Sequence, residues 1–469
     1  MKEFIPQLIP QEFCLKCEIC CRFTEKFSPW APFILREEID NFTLNLPSFI
    51  KSYGINIMLK KENNFYICPF FDISQNKCTY YRMRPLDCRL YPFILFYDQS
   101  YTKIMLGIDS QCPYIREKDR NILNFAQRIK DILENKNMQD VILQNPGIIM
   151  SYNKNFIPLF PLENISKKIF GEDSSLKLIS IEDKDIFKKY LDKSIGNFSF
   201  AFEYIYSWKD IVYLLWRIID DNLLVFWKQK DSLFLLLPPL GEVLSSKTLD
   251  YLCYILGKKP IIENVEENFL NILKEKNIKF HYYPKTEYIY ERKDIAELKG
   301  EKFKSQRWAY NYFKKNNKFR IRELTPGDIE DCLKLYEIWA KEKMRKNIPE
   351  YFRLLIEDNF FAQRRLLLDY ALLELKGIAL ENEKGIIGYS FGYPLNEKTF
   401  CIFSEIANPK YKGIFQYLFC EFCKELKEFR FINTMDDAEL KNLQKTKISY
   451  HPLMKYFYTC FLDYGEGFI

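Results

Sequence analysis

Cysteine is the residue type whose spacing in this chain most plainly implies chemistry. Eight of the 14 cysteines lie between positions 14 and 112: Cys14, Cys17, Cys20, Cys21, Cys68, Cys78, Cys88 and Cys112. A two-residue gap, as in Cys14-x2-Cys17-x2-Cys20-Cys21, lets two thiolates reach one ion from a single tight turn. Further ligands must come from the remote cysteines. In a reducing compartment such a cluster reads as metal-binding rather than disulfide-bonded. No His lies in this region, since the two in the chain are His281 and His451. An all-thiolate shell selects zinc or an iron–sulfur cluster over magnesium or calcium. All eight cysteines are therefore candidate ligands. They suffice for two four-cysteine sites, or for one centre with spare thiols. The side chains of adjacent Cys20 and Cys21 diverge, so these two can serve different ions or one can stand behind a ligand. A four-thiolate zinc site carries a net charge of about −2. Lys16, Arg22, Arg82, Arg84 and Arg89 are placed to offset it, with solvation the alternative role for Lys16 and Arg82. The scattered cysteines, Cys253, Cys332, Cys401, Cys420, Cys423 and Cys460, sit among apolar residues and read as core, where free Cys packs as a small hydrophobe.

Elements must bring these thiols together, and the chain has the material for them. Its 469 residues, 48% hydrophobic with 41 Phe and 32 Tyr, can build two or three packed domains. The net charge of +6, from 69 basic and 63 acidic residues, does not by itself argue for nucleic acid. No stretch approaches the roughly 20 apolar residues of a membrane span. The start, MKEFIPQLIPQEF, lacks the apolar run of a signal peptide. A cytoplasmic protein is expected. An amphipathic helix with Ile122, Phe125, Ile129 and Ile132 on one face follows the cysteines. Asn145-Pro146-Gly147 then breaks the chain. The expected division is 1–140 as the metal domain, 141–175 as a connector, and two α/β units at 176–300 and 301–469. Within the latter, strands are expected at Ile211–Trp216, Leu223–Trp227, Ser232–Leu237, Gly377–Leu380, Gly385–Gly392, Thr399–Ala407 and Phe431–Asn433. Helices are expected at Ser245–Leu256, Val265–Lys276, from Thr325-Pro326, and at Tyr411–Glu428.

The cysteine segments, together with Cys68-Pro69-Phe70, Cys78-Thr79-Tyr80-Tyr81 and Arg84-Pro85-Leu86-Asp87-Cys88-Arg89-Leu90-Tyr91-Pro92, resemble a widespread bacterial and archaeal cysteine-cluster family of zinc- or iron-chelating domains. The resemblance covers about a quarter of the chain. It implies that the eight cysteines serve a metal, structural or reactive.

Residues from about 176 to 465 resemble the C-terminal domain of phosphatidylglycerol lysyltransferases. The stretches that carry this are Leu236 to Gly241, Tyr288-Ile289-Tyr290 with Leu298 to Phe303, Arg307 with Asn311 and Phe313, and Asn433 to Pro452. The resemblance implies two tandem acetyltransferase-like (GNAT) folds. The fold class expected for the chain is thus α/β (α+β), a cysteine-rich metal-binding N-terminal domain followed by two tandem GNAT-like α/β units. Asp436 and Asp437 follow a predicted strand and are expected to open a helix. Carboxylates there are either N-caps or grips for the amine of an aminoacyl group. Glu405 ends an apolar strand and is a candidate base or amine ligand. Lys447, Tyr450 and His451 are candidates to contact a phosphate or a reacting ester. Arg307, Asn311, Lys314 and Lys315 are candidate substrate-binding residues in a basic stretch with interleaved aromatics, Lys299 to Arg322. That composition suits RNA phosphates and unstacked bases; the alternative is a solvated helix with its aromatics in the core.

A direct transfer needs no covalent nucleophile, because positioning supplies much of the rate. Coenzyme A is usually cradled by a glycine-rich loop at a helix N-terminus. The corresponding stretch, Lys410 to Phe415, has one glycine, which disfavours coenzyme A and favours aminoacyl-tRNA as donor. The acceptor, whether lipid, peptide or small molecule, is left open. The rival readings are a non-catalytic metal- or redox-responsive binding protein, and a protein-modifying enzyme akin to lysine methylases that uses the cysteine cluster.

Overall fold

A computed structural model describes residues 5, 7–14, 17, 19–42, 46–117, 122–172, 175–191, 196–230, 232–257, 259–345 and 348–463. Lys16 lies outside the described residues. The chain divides into two compact units. The first is Met1–Leu178 with Ile211–Leu215 and Lys228–Asp231, and the second is Ile179–Asp210, Trp216–Trp227 and Ser232–Ile469.

The first unit is made of short pieces. Arg22–Phe23 and Lys60–Glu62 both pair with Phe65–Ile67, and Phe71–Asp72 pairs with Lys77–Cys78. A stronger sheet places Ile104–Asp109 between Phe93–Tyr97 and Phe156–Pro161. Phe93–Tyr97 is buried along its length, as a run of Phe, Ile, Leu and Tyr dictates. The stretch expected as a connector is instead folded into this unit. Phe156–Pro161 is a strand and Glu163–Phe170 a helix whose Ile165, Ile169 and Phe170 are buried. Apolar residues at helical spacing outweighed the prolines, because Pro158 and Pro161 sit on a sheet edge where no ladder donor is needed. The helix expected after the cysteines runs Ile122–Leu133. It buries Ala126, Ile129 and Leu133.

The second unit is built on a long mixed sheet. Its order runs Ser232–Leu235, Ile261–Val265, Leu453–Asp463, Lys279–Glu291, Phe431–Asn433, Thr399–Ala407, Gly385–Pro394, Lys376–Asn382 and Arg320–Glu323. The hairpin Tyr213–Ile219 and Asn222–Gln229, whose segment Trp216–Trp227 belongs to this unit, turns at Asp220 and Asp221, both at positive φ, as the Asp-Asp-Asn signal predicts. Helices Ser246–Leu256, Glu267–Glu275, Ile329–Met344 and Ile414–Glu425 fall within the expected segments. A core of Tyr288, Tyr290, Phe303, Phe313, Leu418, Phe422, Ile432 and Tyr450 packs helix against sheet. Of the scattered cysteines, Cys332, Cys401, Cys420, Cys423 and Cys460 are buried, and Cys253 is half-buried. Among the described residues no helix is long and apolar enough to cross a membrane.

Candidate functional site

In the first unit all eight clustered cysteines line a single cavity of about 420 Å³. They arrive there from separate elements: Cys14 ends the helix Gln11–Cys14, Cys78 ends a two-residue strand, and Cys88 sits on the helix Leu86–Leu90. Burial pushes the thiols of Cys21 and Cys68 up to about 12, and neighbouring thiols push them in the same direction. The hydrogen bond from Cys20 lowers Cys17 to about 6, and the same contact raises Cys20. A cation among these sulfurs would offset both the burial and the mutual repulsion. The donor set therefore fits zinc or iron. Among the described residues, however, no group of three His, Cys, Asp or Glu side chains already stands at metal-holding distances.

The basic residues divide. Arg84 bonds the Tyr81 carbonyl at 3.0 Å and lies 3.8 Å over the Tyr81 ring, and its charge lowers Cys14, Cys78 and Cys88. Arg22 lies over the Phe71 ring and lowers Cys17 and Cys21. Arg89 pairs with Glu38 at 3.4 Å, and Arg82 is exposed. Glu38 was not singled out from sequence; its carboxylate also accepts from the Leu86 N–H at 2.9 Å and so fixes the start of the Cys88 helix.

In the second unit the sheet itself opens a site. Thr399–Ala407 runs parallel to Phe431–Asn433 only as far as the Cys401–Asn433 pair. Beyond it the first strand continues through Glu405, while the second gives way to the loop 434–440. Such openings at the carboxyl ends of parallel strands are where α/β folds bind ligands. Asp436 and Asp437 lie in this loop. They do not open the following helix, which starts at Lys441 after Leu440. Left-handed backbone at Met435, Ala438 and Glu439 folds the loop back instead, and Asp437 accepts from the Glu439 N–H at 2.9 Å.

Lys447, on the helix Lys441–Ile448, donates to the carbonyls of Thr434, Met435 and Asp436, the last at 2.5 Å. It also lies 5.4 Å over the Tyr288 ring. Asp437 is buried and accepts from the Tyr288 hydroxyl at 2.6 Å. Burial pulls Lys447 down to about 8, against the opposing charges of Asp436 and Asp437. Burial pushes Glu405 up to about 8 and raises Asp436, with Lys447 opposing both shifts. Lys447 thus acts on both Glu405 and Asp436.

Glu287 was missed from sequence. It is fully buried and accepts from Asn433 Nδ2 at 2.6 Å and from the Phe198 N–H at 2.8 Å, while its Oε2 has no partner among the described residues. Burial pushes it up to about 7. The available signal was an acid on a strand of aromatics, Tyr288 and Tyr290, whose period-2 pattern turns it to the opposite face.

The other candidates lie elsewhere. Tyr450 is buried against Tyr290 and Phe419. His451 is exposed and faces the Lys302 carbonyl at 3.2 Å. Arg307 donates to the carbonyls of Leu298 and Gly300, holding a turn. Asn311, Lys314 and Lys315 are exposed on the helix Lys304–Asn316. The aromatics of that helix split: Tyr310 and Phe313 pack against Tyr417, whereas Trp308 and Tyr312 are 53% and 38% exposed. Trp308, Asn311, Tyr312 and Lys315 share a helical face, and Lys412 Nζ sits 4.8 Å over the Trp308 ring.

Residues 189–461 match the family model described as "Phosphatidylglycerol lysyltransferase, C-terminal". Residues 13–135 match the one described as "Putative zinc- or iron-chelating domain". Both resemblances read from the motifs are thereby borne out. The crystal structure of a conserved protein of unknown function from Bacteroides thetaiotaomicron is similar at 24% identity and TM-score 0.56, over 61% of this chain and 98% of that one. The L-PGS of Bacillus licheniformis matches at 16% identity and TM-score 0.43, over 61% and 92%. A tandem GNAT protein from the clavulanic acid biosynthesis pathway matches at 6% and TM-score 0.35, over 61% and 98%. No curated protein matches the chain.

Proposed function

The chain belongs to the family of the phosphatidylglycerol lysyltransferase C-terminal domain, and from that premise we propose an aminoacyl transferase that draws its acyl group from aminoacyl-tRNA and carries a zinc- or iron-binding thiolate domain. The observation that carries the reading is the placing of Glu405 and Asp436 at the open end of the sheet, with Lys447 bonded to the Asp436 carbonyl and its charge acting on both carboxyls. In this reading Asp436 grips the ammonium of the aminoacyl group. An acceptor hydroxyl or amine attacks the ester carbonyl, the new acyl bond forms, and the carbon–oxygen bond to the ribose breaks. Glu405 takes the acceptor's proton and returns it to the departing ribose oxygen; a value near the working pH suits both transfers. Lys447 and Asp437 are positioning residues that hold the turn bearing Asp436. Bound metal would neutralise the thiolates of the first unit and so stabilise its fold.

Two features favour RNA over coenzyme A. Lys314, Lys315 and Lys318 form no ion pair among the described residues, whereas Lys299, Lys302, Lys304, Arg320 and Arg322 all pair with acids. Lys315 shares the exposed face of Trp308 and Tyr312, which suits phosphates and unstacked bases. The start of the helix Ile414–Glu425 is meanwhile closely packed. Gly413 has φ +84, and a Cβ there would meet the Ala309 carbonyl oxygen at 2.2 Å.

The test is equilibrium binding of charged tRNA and of acetyl-coenzyme A to the full chain at two salt concentrations. Charged tRNA should bind more tightly, and changing Lys314, Lys315 and Lys318 to Glu should reduce the logarithmic salt slope by about 2. Asp436→Asn should retain RNA binding and abolish transfer. Saturable acetyl-coenzyme A binding without RNA binding would overturn the reading.

A further inference from the structure

Asn433 ends the strand Phe431–Asn433 and opens the loop 434–440 that carries Asp436. Its side chain is fully buried and makes three hydrogen bonds. Nδ2 donates to Glu287 Oε1 at 2.6 Å and to the Gly196 carbonyl at 3.2 Å. Oδ1 accepts from the Met435 N–H at 2.7 Å, which closes an Asx turn. The two ends of the amide are not interchangeable here. Glu287 Oε1 also accepts from the Phe198 N–H at 2.8 Å, so it is an acceptor toward Asn433 whether or not the carboxyl is ionised. Facing two acceptors, the amide turns Nδ2 toward Glu287 and Gly196 and leaves Oδ1 for Met435. An inverted amide would set donor against donor at the Met435 N–H.

Met435 needs this fixing. It has φ +64, a left-handed backbone that a residue other than glycine keeps only where its surroundings hold it. Its carbonyl accepts from the Tyr288 N–H at 3.2 Å and from Lys447 Nζ at 3.3 Å. Its N–H is held by Asn433, whose amide Glu287 orients. Asp436 is the next residue, so the direction in which its carboxylate leaves the backbone follows from this turn. A buried network with its members paired in this way fixes one arrangement of the chain.

We propose that Glu287 is a positioning residue: through Asn433 it holds the turn at Met435 and so aims the Asp436 carboxylate at the ammonium of the aminoacyl group. The inference rests on the aminoacyl-transfer reading and goes beyond it by giving a buried acid on another strand control of the grip on that ammonium. Lys447 holds the carbonyl side of the turn and Glu287 the N–H side.

The test is equilibrium binding of tRNAs to the full chain. Each tRNA is offered uncharged and charged with its own amino acid through a stable amide link. For the preferred tRNA the charged form should bind the wild type about tenfold tighter or more, because Asp436 makes a charge-assisted contact with the ammonium. Glu287→Leu and Asn433→Ala should each bring that ratio close to one and leave the affinity for uncharged tRNA unchanged. The double variant should lose no more than Asn433→Ala does, because Glu287 acts through Asn433. A folded Glu287→Leu protein that keeps the wild-type ratio would overturn the positioning role and leave the aminoacyl reading standing. So would an equal loss of affinity for both forms. A wild type that distinguishes charged from uncharged in no tRNA would overturn both. Hydrogen exchange needs no RNA and serves also where Glu287→Leu fails to fold. In Asn433→Ala and in Glu287→Ala, exchange at the Met435 amide should quicken while the strand Lys279–Glu291 keeps its protection; unchanged exchange at Met435 in either folded variant would overturn the inference.

Discussion

Around the cysteines the first unit is held by strands of two or three residues and by isolated turns, whereas the second is built on strands as long as 13 residues. The short pieces offer few ladder hydrogen bonds, so their order must come from side-chain burial and from what their side chains bind. The long strands carry a continuous aromatic and aliphatic core. A bound metal would therefore matter most to the first unit, whereas burial of apolar surface carries the second.

The sharpest way to break this contrast is to remove the metal. Chelation should cost the first unit on the order of 10 kcal/mol, enough to unfold it, and leave the second folded. Hydrogen exchange should lose protection over 19–112 and keep it over the strands Lys279–Glu291 and Leu453–Asp463. Equal loss in both would refute the contrast. The next effect is confined to the second unit. Asp210 is held by Arg365 at 2.9 Å and faces Arg364 at 3.7 Å, with all three side chains largely buried. Asp210→Ala takes the carboxylate from Arg364 and leaves Arg365 with Asp369 at 3.2 Å, and should cost ~3 kcal/mol in denaturant unfolding. Metal content should not change.

Tyr288→Phe removes the donor to buried Asp437 and should cost ~1–3 kcal/mol. It should slow transfer without altering metal content. The smallest effect is a pH drift. Glu405 and Glu287 are raised from 4.5 to about 8 and about 7. A raised carboxyl contributes stability that is fully present below 4.5 and is lost as pH rises through the folded value. Thermal unfolding of the second unit should therefore weaken from pH 5 to 8. Glu405→Gln should flatten the drift; an unchanged slope would assign it to other groups. Lys447, lowered from 10.5 to about 8, acts in a higher window, with its contribution lost as pH falls from 10.5 through 8.

Much of this was legible in the chain itself. The eight cysteines that line one cavity stand out by type and spacing, and strands such as Thr399–Ala407 and Phe431–Asn433 follow from apolar runs between turn residues. What resisted reading was long-range. Arg365 and Asp210 are 155 positions apart, and Glu287 meets Asn433 across 146. No local pattern marks such partners. The loop 434–440 misled for a different reason: two carboxylates ahead of a helical stretch imitate an N-cap, yet the left-handed residues Ala438 and Glu439 intervene. The exposure of Trp308 beside the burial of Phe313 likewise depended on where Tyr417 would stand.

The place of Leu453–Asp463 has a consequence for the order in which the chain folds. This strand lies between Ile261–Val265 and Lys279–Glu291, bonded to both. During synthesis the two halves of the sheet therefore emerge with unpaired facing edges and are joined only when the segment from 453 to 463 leaves the ribosome. Until then each half presents an open strand of the kind that invites pairing with another chain. Closure of the ribbon, with its large sequence separation, should be the slow step of refolding.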